Sequence, residues 1–159
     1  MATPPEFITT IIYTLTPNNG GDPVIFTFRD LDGVGGDDPL INVGLLAANQ
    51  IYTGQVQLLD ESVLPAVDVT VEIEEESTDH QFFFSSSISG LAISYADTDD
   101  NGNRFGLESR VTTSTSGIGT FRITLRHEPN KFAASVANGD LTNAGGETDI
   151  EATFDIRVQ

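Results

Sequence analysis

The sequence predicts an all-β chain: an antiparallel β-sandwich, immunoglobulin-like or jelly-roll-like, of about eight or nine short strands with at most one or two short helices. Two observations carry this. Apolar residues recur at every second position along several segments, with polar residues between them. Such alternation places one side chain in two on a buried face and the others in solvent, as a half-buried strand requires. Turn-forming pairs then separate the segments: Asn19-Gly20, Asp32-Gly33, Gly35-Gly36, Asn101-Gly102, Ser116-Gly117, Asn138-Gly139 and Gly145-Gly146.

In chain order, residues 7–15 read as the first strand. Val24, Phe26 and Phe28 alternate before Arg29-Asp30 and read as the second. Residues 52–59 follow. Val67, Val69, Val71 and Ile73 then share one face, with Asp68, Thr70, Glu72 and Glu74 on the other. Their β-branched character suits a pleated surface. Residues 81–87, 91–95 and 107–115 come next. Phe121, Ile123 and Leu125 alternate with Arg122, Thr124 and Arg126. Ile150, Ala152, Phe154, Ile156 and Val158 alternate with Glu151, Thr153, Asp155 and Arg157 and close the series. Short helices are expected at residues 60–64, stopped by Pro65, and at 131–137. One domain is expected over residues 6–159, after a disordered N-terminal segment at 1–5.

Composition narrows the partners. The chain has 159 residues, with 24 Asp plus Glu against 7 Lys plus Arg and a formal charge of −17. Phosphate recognition and docking on anionic membranes both need basic side chains, so neither fits. Cations fit. There is no Cys, which removes disulfides, thiolate metal sites and thiol nucleophiles. No run approaches the ~18 apolar residues of a membrane-spanning helix. No Gly-x-Ser-x-Gly elbow, phosphate loop or dinucleotide fingerprint occurs, and the reading is of a non-enzymatic protein.

Two constellations could hold metal. Residues 97–108 match the calcium-loop pattern Asp-x-Asp/Asn-x-Asp/Asn-Gly-x5-Glu at every specified position. Asp97, Asp99 and Asn101 would offer side-chain oxygens to Ca2+, Asn103 its carbonyl, and Glu108 both carboxylate oxygens. The flanks read as strands rather than helices, and Arg104 places a cation within the loop. A solvated hairpin turn accounts for the same Asp, Asn and Gly residues. A second acidic loop, residues 30–38, lacks a closing ligand. The other constellation is the histidine pair. His127 keeps the parity of Phe121, Ile123 and Leu125, and His80 precedes Phe82. If their strands are neighbours, the two imidazoles with Glu76, Asp79 or Glu128 could bind Zn2+ or another transition metal, or the pair could ligate a haem iron. A hydrogen-bonded strand-end His127 and a loop His80 are the alternatives.

Several stretches also carry a resemblance. They are residues 11–17, 28–33 and 79–84, the run Thr124-Leu125-Arg126-His127-Glu128-Pro129-Asn130-Lys131, and residues 142–150. Together they resemble a family of small exported lipoproteins of Bacteroidota commonly labelled "type 1 periplasmic binding fold". The resemblance implies export, a lipidated Cys upstream of Glu6, and a place at the outer membrane or cell surface. It also implies an association with a TonB-dependent outer-membrane receptor. Proteins of the labelled fold are large and two-lobed, and this short, strand-rich chain predicts a sandwich instead. Two functions follow: a cation-binding envelope module, or a calcium-stabilised structural or self-assembling surface protein.

Overall fold

The computed structural model describes residues 7–32 and 35–159; the expected disordered segment at 1–5 lies outside them. The ten strands among them are β1 (Thr10–Pro17), β2 (Val24–Arg29), β3 (Leu40–Val43), β4 (Ile51–Asp60), β5 (Val67–Asp68), β6 (His80–Ser86), β7 (Ala92–Tyr95), β8 (Glu108–Thr112), β9 (Gly117–His127) and β10 (Glu147–Val158). One sheet has the order β3-β2-β1-β4-β8-β7, with β5 paired to β4; the other has the order β10-β9-β6. The paired strands within each sheet run antiparallel. The all-β sandwich expected from the alternation is what the chain forms.

The two inner faces meet through aromatic rings. Tyr13 on β1 lies 5.5 Å from Phe121 on β9, and Phe26 on β2 lies 5.3 Å from Phe154 on β10, centroid to centroid. All four side chains are fully buried. Ile11, Leu15, Leu58, Ile123, Leu125 and Ile156 complete this layer, each from the apolar phase of its strand. Offset and tilted ring pairs add about 0.5–1.5 kcal/mol each beyond the area they bury. Tyr13 also brings a hydroxyl into the core, where it pairs with Ser109 Oγ. Burial pushes that phenol well above its ordinary value, so it stays neutral. Gly54 makes room for the pair: a Cβ there would lie against the Tyr13 hydroxyl and 2.6 Å from Ser109 Oγ.

One segment departs from its expected form. Only Val67 and Asp68 of the alternating run pair as a strand, and Thr70–Glu75 forms a helix, α1. Asp68 Oδ1 accepts the Thr70 N–H at 3.0 Å, and the Thr70 hydroxyl bonds back to Leu58 on β4. The chain therefore turns off the sheet after two residues. Val69 and Ile73 are four apart, so one helical turn buries both, whereas Val71 remains 59% exposed. A run of Glu suits a helix better than a strand, and it tips a pattern that fits both periods. The helices expected at 60–64 and 131–137 do not form as such; the second region contains only a 3-10 turn at Val136–Asn138. Strand β3, at the sheet edge, has no strong alternation to announce it.

Past α1, a 3-10 turn at Ser77–Asp79 leads straight into β6. This turn, the end of β9 and the start of β10 meet at one end of the sandwich.

Candidate metal centre

The two histidines come together. His80 opens β6, His127 ends β9, and the strand register pairs them directly. Both have the parity of core residues, so both rings turn inward. His80 is fully buried and His127 is 3% exposed. The His80 Nε2 and His127 Nδ1 atoms are 3.1 Å apart.

A third group joins them from β10. The β9–β10 register slips between Thr148 and Ile150, leaving Asp149 as an extra residue. Such a bulge re-aims a side chain that strict alternation would send to the opposite face. Asp149 Oδ2 lies 3.2 Å from His80 Nε2 and 3.8 Å from His127 Nδ1, and its side chain has no exposed surface. Gly146 lets β10 enter here. Its φ is +72°, and a Cβ on it would strike the backbone of His127 and Glu128.

Among the described residues, these are the His, Asp and Glu side chains that offer three ligand atoms within 4.8 Å of one another. Around a tetrahedral zinc ion with bonds of about 2.0–2.1 Å, neighbouring ligand atoms sit about 3.3 Å apart. The separations of 3.1, 3.2 and 3.8 Å outline one face of such a tetrahedron.

The nitrogens that face away are also placed. His80 Nδ1 is 3.0 Å from the Glu76 carbonyl, which can only accept, so Nδ1 carries a proton and donates it. In the neutral ring, Nε2 then presents a lone pair toward His127 and Asp149. His127 Nε2 lies 4.0 Å from Glu128 Oε1. For His80, the Glu76 carbonyl on the far nitrogen is the kind of outer acceptor that fixes ring orientation and raises ligand basicity in metal centres.

The electrostatics leave a place for positive charge. Both Asp149 oxygens are buried, and among the described residues neither has a well-formed hydrogen bond, although Oδ2 lies 3.2 Å from His80 Nε2. The contact is close in distance but poorly directed for a ring N–H. A buried carboxylate without donors costs several kcal/mol unless a cation offsets it. Burial by itself would lower the His80 pKa. The Asp149 carboxylate, aided by the Glu76 carbonyl and carboxylate, outweighs burial and holds it above its ordinary value. Without metal, a proton on His80 supplies part of the missing charge.

The other ligands anticipated for the histidine pair take different roles. Glu76 provides the carbonyl just described. The Asp79 carbonyl accepts the Glu128 N–H at 2.6 Å, tying the 3-10 turn to the end of β9. Glu128 has a 40% exposed side chain and a φ of +53°. Parity along β10 puts Asp149 with Glu147, Glu151 and Asp155 on the polar phase, so alternation alone hides it. Its place in the distinctive stretch 142–150 is the one sequence signal near it.

The calcium-like loop is built nearby as a hairpin. Its Thr98 and Arg104 form an antiparallel bridge, and Gly102 turns with φ +85°. Asp97 accepts backbone N–H groups from Gly106 at 2.6 Å and Glu108 at 2.9 Å. Asp99 Oδ1 accepts those of Asn101 and Asn103, each at 2.9 Å, and the Asn103 carbonyl accepts the Asp99 N–H at 2.7 Å. Asp99 Oδ2 meets Lys131 Nζ at 2.7 Å, and Nζ also donates to the Ser77 carbonyl at 2.9 Å. Asp99 is desolvated, yet Lys131 and the loop N–H groups hold its carboxyl below the usual range. The loop thus carries an internal ammonium at the carboxylate expected to bind Ca2+. Glu108 stands at the start of β8, beside Gln55. With Asp97, Asp100 and Glu74 it lines an open cleft of about 690 Å³. In the second acidic loop, Asp32 Oδ2 accepts the Asp37 N–H at 2.8 Å, and residues 33 and 34 lie outside the described set.

Fold and site define an all-β sandwich domain with a buried His-His-Asp constellation at one end of its core. No family model, curated protein or solved structure matches the chain.

Proposed function

We propose that this protein is a non-enzymatic metal-binding module of the bacterial envelope, and that His80, His127 and Asp149 hold a transition-metal dication, with Zn2+ the first candidate. The observation that carries the reading is the convergence of two imidazole nitrogens and one buried carboxylate that, among the described residues, has no well-formed hydrogen bond. Imidazole with carboxylate suits zinc and its first-row neighbours better than calcium, which prefers oxygen alone. The excess acid supports the reading at longer range, because a field of −17 raises the local concentration of cations. The resemblance to exported Bacteroidota lipoproteins supports a lipid-anchored place at the outer membrane, beside a TonB-dependent receptor. Calcium remains the second candidate ion, at the loop of Asp97, Asp99, Asn101, Asn103 and Glu108.

Isothermal calorimetry on chelator-treated protein tests the central claim. One Zn2+ should bind per chain in the micromolar range or tighter, and His80→Ala, His127→Ala and Asp149→Ala should each abolish the heat. Millimolar binding, or variants indistinguishable from wild type, overturns it.

A further inference from the structure

Arg29 and Glu61 pair where solvent reaches both side chains, whereas the side chains of Lys131 and Asp99 are only 5% and 0% exposed. An ion pair gains little from such burial, because desolvating two charges offsets most of their attraction. The polar groups around Lys131 and Asp99 suit a different bond. Lys131 Nζ meets two acceptors, Asp99 Oδ2 at 2.7 Å and the Ser77 carbonyl at 2.9 Å. Asp99 Oδ1 meets two donors, the N–H groups of Asn101 and Asn103, each at 2.9 Å. The Phe105 ring lies 5.7 Å from Nζ. Were Nζ joined to the Asp99 carboxyl carbon as an amide, its N–H would face the Ser77 carbonyl, and its oxygen would face the two loop N–H groups. Only Oδ2 would have to leave. A neutral amide with its hydrogen bonds made costs less to bury than two charges.

We infer that Lys131 and Asp99 react with each other in the folded chain to form an isopeptide bond between Nζ and Cγ, the ion pair being the reactant of this covalent cross-link. A proton first crosses the 2.7 Å contact from Nζ to Oδ2, leaving a neutral amine beside a neutral carboxylic acid. The amine lone pair then adds to Cγ, which forms the C–N bond and pushes the carbonyl electrons onto Oδ1. The Asn101 and Asn103 N–H groups already donate to that oxygen and stabilise its negative charge. A second proton passes from the nitrogen to Oδ2, the Cγ–Oδ2 bond breaks, and Oδ2 departs as water while the carbonyl re-forms. The nitrogen loses two protons and both leave in that water. Nothing is oxidised or reduced, and no co-reactant is consumed. Folding supplies the proximity, and burial limits the water that would reverse the step.

The cross-link joins the two sheets. Asp99 lies in the hairpin between β7 and β8 of the larger sheet, and Lys131 lies between β9 and β10 of the smaller one. The two residues are thirty-two positions apart. In a chain without Cys, such a bond acts as a disulfide does, by removing loop-closure entropy from the unfolded state. It also consumes Asp99 Oδ2, so a cross-linked loop no longer offers that carboxylate to Ca2+.

Intact-mass spectrometry of the denatured protein reads the bond directly. Wild type should weigh one water less than its sequence, and a protease digest should yield one branched peptide containing both Asp99 and Lys131. Lys131→Arg keeps the positive charge but removes the amine nucleophile. That variant and Asp99→Ala should each show the full mass of their own sequences. A cyclic imide at Asp32-Gly33 also loses water, but that loss survives in Lys131→Arg and maps to a different peptide. Wild type at its full sequence mass after prolonged incubation at neutral pH would overturn the inference. So would a water loss that persists in Lys131→Arg, or one that maps to a peptide without Lys131.

Discussion

His80 and His127 stand directly opposite each other on neighbouring antiparallel strands, their Nε2 and Nδ1 atoms 3.1 Å apart in the buried end of the sandwich. Two imidazoles so placed in the folded chain need no rearrangement to share an ion. Binding energy at this site is therefore folding energy, because the unfolded chain has no such pair.

The first prediction is a metal-dependent melting temperature. Zinc at a hundred times its dissociation constant should stabilise wild type by about 2.7 kcal/mol. Calorimetric or circular-dichroism melts with zinc and with chelator check this. His127→Ala should melt at the same temperature in both. A zinc-induced rise retained by the variant would place the ion elsewhere.

The metal-free protein should lose stability as pH rises. His80 is held above its usual value of 6.5, so the folded state binds its proton more tightly than the unfolded chain does. That contribution is complete below about pH 6.5 and disappears as pH climbs through the raised folded value. Urea titrations of chelated protein across this range should show the decline. Asp149→Asn should flatten it, and saturating zinc should oppose it. A pH-independent wild type in chelator would contradict the arrangement.

Lys131 is expected to act as the built-in cation of the 97–108 loop. Removing one member of a buried ion pair costs about 3–5 kcal/mol, because the other charge is left uncompensated. Lys131→Met should therefore lower the denaturation midpoint strongly, and added Ca2+ should recover part of the loss by occupying the vacated place near Asp99. The Asp99 contribution is present above about pH 3.8 and falls away as pH drops through its lowered folded value. If Lys131→Met is as stable as wild type at neutral pH, the ammonium is not what holds the loop.

Gly54→Ala tests the core packing. Its methyl group would lie against the Tyr13 hydroxyl and 2.6 Å from Ser109 Oγ. Overpacking of this kind costs about 1–3 kcal/mol. Adding Tyr13→Phe should recover part of the loss by removing the oxygen. A double variant no more stable than Gly54→Ala would show that the clash is relieved elsewhere.

Alternation of apolar and polar residues was enough to reveal the sandwich, because period two follows from the pleat of any single strand. Val24 to Phe28, Phe121 to Leu125 and Ile150 to Val158 needed no partner to be read. Residues 67–73 read as a strand, yet all but the first two leave the sheet, since Val69 and Ile73 satisfy a helix as well. The run of Glu favours the helix, and Thr70 binding Leu58 on β4, a tertiary contact, holds the turn off the sheet. The parity of His127 with Phe121 already pointed its ring inward, and an acidic chain already pointed to cations. Only the assembled sheet could bring His80 opposite His127, forty-seven residues away in sequence. Asp149 depended on it still more. Its place among the polar residues of β10 is reversed by a bulge, and a bulge exists only between two paired strands. The sequence by itself determined the layers, the charge and two of the candidate ligands. The tertiary structure decided which side chains converge, because strand register and its local slip belong to pairs of strands and to neither strand alone.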